Sequence, residues 1–434
     1  MLLLPRPALF AAVSTPPSPA STPTAAPKRS LGALLVTYTF SSLADGVYFV
    51  ALPWLALELI GSAAALGGVL ALAALPRTAF MVIGGAWADR FAPQRLLAAS
   101  SAASALVTGL LAAAASGWLS TPAPWMLYTA AALLGVVDAV AYPAASALVP
   151  RLVASERLHR VNGMMGVLLQ VATFLGPAAA AGALAWGGSA AALVLSAALS
   201  LVAVGTALVI RVPSVSASGY PDEETPEASS GGTLRAIVEG FRFVRRRPVV
   251  FAVIVLMAGL NLGLAGPIIV GGAVLAEVRY GGAGVFGAIV SAWGAGGLVG
   301  SLVASVRAPA SPVAWTVALS GVLGVAMGLW ALPMPLFALL AVTAAMGLAD
   351  GWLEVHAYTW IQQQTPLAMQ GRVMALTMLA LVGVEPVSHV VGGVLAETSL
   401  SGLFVGGATL TIVATIVAGL VIARQVRTAR RQTR

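Results

Sequence analysis

The sequence contains few charged residues: Asp, Glu, Lys and Arg make up only 9% of its 434 residues, whereas 59% are hydrophobic. An average soluble protein carries about 25% charged residues, so this chain could not cover a soluble surface of its size. Apolar segments of about eighteen or more residues recur along its length, and each could span a bilayer core of about 30 Å. The sequence therefore predicts a polytopic membrane protein.

Cysteine is absent, and only three histidines are present. Without cysteine there is no disulfide framework, thiolate nucleophile or cysteine-ligated metal. The histidines lack metal-ligand spacing and no HExxH motif occurs, so we expect no metal site and no cofactor. An intramembrane enzyme is accordingly the least favoured class, and we predict that the protein is not an enzyme.

The apolar segments predict twelve membrane-spanning helices. They lie at about 32–59, 64–88, 95–116, 123–149, 161–186, 189–210, 249–275, 283–305, 312–331, 334–362, 373–397 and 402–423. These spans, numbered 1 to 12, form two blocks of six around a polar central segment. The expected fold is all-α and integral to the membrane, with two six-helix bundles.

The distribution of basic residues tests this topology. With the N-terminus placed in the cytoplasm, 21 of the 23 Lys and Arg residues fall in cytoplasmic segments, whereas Arg279 lies outside and Arg77 within a span. The positive-inside rule predicts this asymmetry for correctly placed spans. The inner membrane surface then explains the net charge of +8, and we expect no nucleic-acid partner. We predict a multi-pass protein of the cell membrane with both termini in the cytoplasm.

The remaining segments complete the expected organisation. Residues 1–31 are rich in Pro, Ser, Thr and Ala and lack the basic leader of a secretory signal, so we expect a disordered cytoplasmic tail. The two bundles cover 32–210 and 249–423, and a basic tail covers 424–434. The linker, 211–248, contains TLRAIVEGFRFVRRR, whose apolar residues share one helical face. This pattern indicates an amphipathic helix on the membrane surface, with a solvated connector as the alternative.

Five charged residues fall at similar depth inside the predicted spans. They are Asp45, Arg77, Asp138, Asp350 and Glu385. Each lies eleven to thirteen residues from the cytoplasmic end of its span, which places all five near the middle of the membrane. A charged side chain there costs at least about 2.5 kcal/mol, so such residues are functional candidates.

The same helical faces carry two more polar residues. Glu354 and His389 lie four residues beyond Asp350 and Glu385, and they extend the two polar stripes. Removal from water favours the protonated form of a carboxyl. Glu385 and Asp350 have no obvious basic neighbour besides histidine. We therefore predict that Glu385 is the residue that binds and releases a proton, with Asp350 as the second candidate.

The two acids of the first six spans, Asp45 and Asp138, each allow two interpretations. Asp45 and Arg77 lie at similar depth on successive spans, so we predict an ion pair between them. If the pair is absent, Asp45 becomes another candidate proton carrier. Asp138 is either a proton carrier or a plain lining residue of a water-filled cavity.

The turn between spans 2 and 3 reads GGAWADRFAPQRLL, and it resembles the loop signature of the major facilitator superfamily. The matched positions are Gly85, Asp89, Arg90 and Arg95. In that family the motif stabilises the outward-open state, so the resemblance implies a conformational latch here. The intervening Ala-Pro-Gln departs from the family pattern and implies a weaker latch, and an ordinary charged turn is the alternative.

Further segments resemble the drug-efflux branch of the superfamily, which includes macrolide and siderophore exporters. They include LADGVYFVALPWLAL in span 1, NGMMGVLLQVATFLGPAAAAG in span 5 and QTPLAMQGRVMAL between spans 10 and 11. Gly176 and Pro177 resemble the glycine-proline element of the antiporter motif, whose longer glycine repeat is only partly present. Gly371 and Arg372 are the matching loop residues between spans 10 and 11.

The resemblance implies a secondary active transporter whose substrate site lies near the membrane midplane. We expect a proton-coupled antiporter that exports hydrophobic or amphiphilic small molecules, such as drugs. The proton gradient supplies the energy, and the expected state is a monomer surrounded by membrane lipids. An importer or a lipid or metabolite carrier is the alternative, because a fold does not set the direction of transport.

Overall fold

The chain folds into helices throughout its described part. The computed structural model describes residues 28–90, 92–119, 123–153, 155–212, 232–307 and 309–432, without the side chains of 28, 81–90, 155, 156, 159, 232–237, 367, 368, 426 and 429–432. The helices are α1 (Lys28–Ile60), α2 (Ala63–Arg90), α3 (Pro93–Ala115), α4 (Pro124–Leu152), α5 (Ser155–Ala207), α6 (Gly232–Arg245), α7 (Pro248–Gly266), α8 (Gly272–Tyr280), α9 (Ala283–Val306), α10 (Pro312–Leu329), α11 (Leu336–Gln363), α12 (Leu367–Val382), α13 (Glu385–Thr398) and α14 (Leu400–Gln432). The predicted disordered tail, apart from its last residues, lies outside these ranges.

The described helices account for all twelve predicted spans and for the two six-helix bundles. Spans 5 and 6 are both in α5, which turns sharply at Gly187 and Gly188, where the positive φ of 66° at Gly188 suits glycine. Span 7 consists of α7, a π-helical turn at Pro267–Gly271, and α8. Span 11 consists of α12 and α13. The prediction of an all-α membrane fold is confirmed.

Helix α6 lies where the amphipathic linker helix was predicted. Val244 is buried, whereas Val238 and Phe241 are about two-fifths exposed. The helix packs against α12, where Arg372 Nη1 donates to Glu239 Oε2 at 2.5 Å. Its location on the membrane surface stays a prediction.

Glycine allows close helix packing inside each bundle. In the N-terminal bundle, a Cβ built on Gly46 of α1 would lie 3.0 Å from the Cα of Gly176 in α5. In the C-terminal bundle, a Cβ on Gly351 of α11 would lie 2.9 Å from the Cα of Gly297 in α9. Small residues at such interfaces let membrane helices approach and gain van der Waals contact.

The two bundles contact each other mainly through α2 with α13 and α5 with α9. We call the side of the molecule that carries Arg95, Arg151, Arg211, Arg307 and Arg424 the basic side, and the other the opposite side. Residues near the opposite-side ends of α2 and α13 touch, for example Gly67 and Gly393. The bundles are therefore closed together on the opposite side.

Candidate functional site

A cavity of about 600 Å³ lies between the bundles, about midway along their membrane-spanning helices. Among the described residues, six charged side chains line it: Asp45, Arg77, Asp138, Asp350, Glu354 and Glu385. A second cavity of about 440 Å³ shares Tyr38, Tyr142 and Leu169 with the first, and it extends to Pro150 and Leu158 near the basic side. The charged cavity thus continues towards the basic side. All five predicted midplane residues and Glu354 meet in it.

Arg77 pairs with Glu385 across the two bundles. Its Nη2 lies 2.7 Å from Glu385 Oε2, and the side chains are 34% and 19% exposed. The predicted ion pair between Asp45 and Arg77 is therefore wrong, as is the expectation that Glu385 lacks a basic neighbour. Depth along a span is readable from the sequence, but the side of α2 that faces α13 is not. Arg77 reaches across the bundle interface rather than to α1.

A break in span 11 positions Glu385. The chain leaves α12 at Gly383, and Glu385 is the first residue of α13, followed by Pro386. A carboxylate in the first turn of a helix is favoured by the helix dipole. Ser388, one turn later, donates to the Leu262 carbonyl at 2.7 Å and accepts from the Gly266 amide at 2.8 Å. These bonds fix the start of α13 against α7.

Asp138 accepts a hydrogen bond of 2.5 Å from the hydroxyl of Tyr48. Tyr48 is buried in α1, and it lines the same cavity as Asp45 three residues before it. Asp45 has no hydrogen bond from any residue in the described part of the chain. The sequence reasoning missed Tyr48, although its i+3 spacing from Asp45 places both on one face of α1.

Asp350 and Glu354 stand one helical turn apart on α11 and add two carboxyls from the C-terminal bundle. Arg77 is the one cationic side chain among the described residues of the lining. Asn261 also lines the cavity, and no described residue donates a hydrogen bond to its buried Oδ1. Aromatic and aliphatic side chains form much of the remaining wall: Phe49, Met257, Leu260, Ile268, Ile269 and Trp293.

His389 is not part of the cavity lining. It is 5% exposed and lies in the interface of α2 and α13, where its carbonyl faces Gly67. Its Nδ1 is buried and has no hydrogen-bond partner in the part of the chain that the structure describes. The sequence analysis placed His389 on the polar stripe of Glu385, but no contact among the described residues leads from Glu385 to His389.

The sequence motifs lie in three different places. At the end of α2, the structure describes only the backbone of Gly85, Asp89 and Arg90. Arg95 is exposed in the first turn of α3. The latch role of this loop stays a prediction.

The two other motifs have structural contacts. Gly176 packs against Gly46, and Pro177 lines the cavity. Gly371 is in open space, whereas Arg372 pairs with Glu239 of α6. The glycine of the glycine-proline element thus allows α1 and α5 to pack closely together.

Two six-helix bundles with a polar cavity between them at mid-membrane define the class of secondary transporters. A family profile described as Major Facilitator Superfamily matches residues 34–384. The chain belongs to the Major Facilitator Superfamily, and it is a transporter rather than an enzyme.

Relatives of known sequence agree with this assignment. The MFS-type transporter y4rN of Sinorhizobium fredii is 25% identical over 396 residues, which cover 89% of this chain and 93% of the relative. The enterobactin exporter EntS of Shigella boydii is 26% identical over 345 residues, covering 77% and 74%. The resemblance to a branch that includes siderophore exporters is confirmed at this level.

Solved structures show the same fold. A bacterial homologue of the iron transporter ferroportin in an inward-facing state has a TM-score of 0.67 at 16% identity and covers 92% of this chain and 98% of its own. A bacterial homologue of the lysosomal transporter Spinster, also inward-facing, has a TM-score of 0.65 at 16% identity and covers 92% and 96%.

Proposed function

We propose that this transporter exports amphiphilic molecules across the cell membrane in exchange for protons, by alternating access. The observation that carries the proposal is the composition of the cavity. Five carboxyls and one guanidinium share a space of about 600 Å³ whose other walls are largely apolar and aromatic. Such a site fits a molecule with an apolar body and a polar or charged group.

The excess of carboxyls supports both the substrate class and the coupling. Isolated charges away from bulk water are costly unless they are paired or neutralised. The pair of Arg77 and Glu385 compensates one carboxyl. The others, Asp45, Asp138, Asp350 and Glu354, require protons or a cationic group. A cationic amphiphile and protons would then compete for the same carboxyls, which is the basis of an exchange.

The observed conformation fits the substrate-loading stage of such a cycle. The cavity continues towards the basic side, which we assign to the cytoplasm by the positive-inside rule. A cationic substrate entering there would bind the carboxyls in place of protons. After the bundles rock, protons from the other side would take its place and release it.

Glu385 is the carboxyl that we expect to link protonation to the movement of the bundles. Ionised, it pairs with Arg77 and joins α2 to α13. When it is protonated, or when a substrate cation occupies it, that ion pair is lost. A ligand or proton that binds one conformation better shifts the population towards it.

The test is transport into inside-out membrane vesicles under an imposed pH gradient. Amphiphilic cations should accumulate with gradient dependence, and neutral analogues of equal size should accumulate at least about tenfold less. Glu385→Gln should abolish gradient-driven uptake while it retains substrate binding, whereas Glu277→Gln, which removes an exposed carboxylate outside the cavity, should transport normally.

Two results would contradict the proposal. Uptake that is the same with and without the gradient would refute proton exchange. Equal uptake of cations and their neutral analogues would refute the assigned role of the carboxyls. If Glu385→Gln alone transported normally, the proton carrier would have to be sought at Asp350 and then at Asp45.

A further inference from the structure

The carboxylate of Glu397 joins the two bundles at the rim of the opposite side. Glu397 lies in the last turn of α13, and its Oε1 accepts a hydrogen bond of 2.9 Å from the Ser62 hydroxyl. Its Oε2 accepts from the backbone amides of Ala63 at 2.8 Å and Ala64 at 3.4 Å. These amides are the first of α2, so a residue of the C-terminal bundle caps a helix of the N-terminal bundle.

This cap is favourable for two physical reasons. The first amides of a helix have no acceptor within the helix, and a side-chain oxygen normally supplies one. The N-terminal end of a helix also carries a partial positive charge, which attracts a carboxylate. Ser62 donates to Glu397 and accepts from the amide of Ala65 at 3.2 Å, so it takes part in the same capping arrangement.

The cap is one end of a continuous antiparallel contact between α2 and α13. Further along, a Cβ on Gly393 would lie 3.1 Å from the Cα of Gly67, so the backbones nearly touch. At the cavity end, Arg77 pairs with Glu385 at 2.7 Å. Glycine has no side chain to contribute at this point, whereas the hydrogen bonds and the ion pair at the two ends join the bundles directly.

We propose that Glu397 is a gate residue: it stabilises the conformation closed on the opposite side and must leave the N-terminus of α2 when the cavity opens there. A path from the cavity to the opposite side has to pass between the bundles, and α2 and α13 close it. Separation by a few ångströms would break all three hydrogen bonds. The proposal rests on the alternating access in the proposed function, and it adds a residue outside the cavity to that cycle.

Because Glu397 does not line the cavity, its replacement should shift the conformational equilibrium without altering substrate contacts. Glu385 differs from Glu397, because in the proposed cycle it both lines the substrate cavity and joins the two bundles. The location of Glu397 outside the cavity also makes the inference testable without any substrate.

The experiment measures the distance between the bundles on the opposite side. Since the chain has no cysteine, Leu119→Cys and Leu332→Cys introduce two unique spin-label sites. Both leucines are exposed, at 43% and 53%, in loops of the opposite side on different bundles. In lipid nanodiscs, pulsed electron resonance gives the distribution of distances between the labels.

Glu397→Ala should raise the population of the longer distance about fivefold, the factor that corresponds to a typical helix cap. Ser62→Ala removes one of the three hydrogen bonds to Glu397 and should raise the population of the longer distance by a smaller factor. Glu277→Gln, the matched removal of an exposed carboxylate from the same side, should leave the distribution unchanged.

An unchanged distribution in folded Glu397→Ala would overturn the proposal. An equal shift in Glu277→Gln would also overturn it, because any lost charge would then act alike. If Glu397→Ala does not fold, Ser62→Ala decides, and an unchanged distribution counts against the proposal. The predicted shift combined with an absence of proton exchange would refute the proposed function but not the gate.

Discussion

At the scale of single residues, the pairing of Arg77 with Glu385 is the contact most open to test. The pair is partly buried, so removing one partner should cost about 1–3 kcal/mol, between the values for surface and buried pairs. Arg77→Gln and Glu385→Gln should each lower the thermal midpoint in detergent, and the double variant should recover much of the loss.

Asp45→Asn is the control for this comparison of single and double variants. Asp45 lines the same cavity as Arg77 but has no ion pair with it among the described residues, so the coupling of Asp45→Asn with Arg77→Gln should be weaker than that of Glu385→Gln with Arg77→Gln. Coupling between Asp45 and Arg77, with additive effects for Arg77 and Glu385, would show that the ion pair is assigned to the wrong acid.

The same residues show what could be predicted of the site. The cost of charge in a membrane and the rise of a helix predicted the depth of the charged residues, and all five predicted midplane residues do line one cavity. Their pairing was not predictable, because it depends on the rotation of each helix about its axis. The bond from Tyr48 to Asp138 was missed for that reason.

At the scale of helices, Gly176 offers a test of the glycine-proline element in α5. Its backbone nearly touches that of Gly46, and a Cβ at Gly176 would lie 2.8 Å from the Cα of Gly46. Gly176→Ala should therefore destabilise the protein by about 1–3 kcal/mol, measured as a lower thermal midpoint.

Gly163 and Gly182 in the same helix are the matched controls. An added Cβ meets no atom within 4 Å at either position. Alanine there should be neutral or slightly stabilising, because alanine has the higher helix propensity. Equal destabilisation at all three positions would mean that the element does not act through the contact of α1 with α5.

The sequence predicted the helices better than their interruptions. Length and hydropathy gave twelve spans because the bilayer sets both. The π-helical turn at Pro267–Gly271 and the break between α12 and α13 were not predicted, although Pro267 and Pro386 mark them. A proline can be accommodated in several ways, and the neighbouring helices decide which one occurs.

At the scale of the whole molecule, the orientation in the membrane is the open prediction. Single cysteines at Leu332 and Val306 suit the test, because these side chains are 53% and 80% exposed, on the opposite side and the basic side respectively. In intact cells an impermeant maleimide should label Leu332→Cys and should label Val306→Cys only after permeabilisation. The reverse pattern would place the basic side outside the cell and turn the proposed exporter into an importer.

The contact of Gly67 with Gly393 also bears on how fast such a carrier can work. Two nearly smooth backbones meet there without interlocking side chains. When α2 and α13 separate, neither of these two residues has a side chain that must change rotamer, and none must repack when the helices meet again. Parting the helices at this point withdraws no side chain from between them, and this favours an interface that is opened and closed many times.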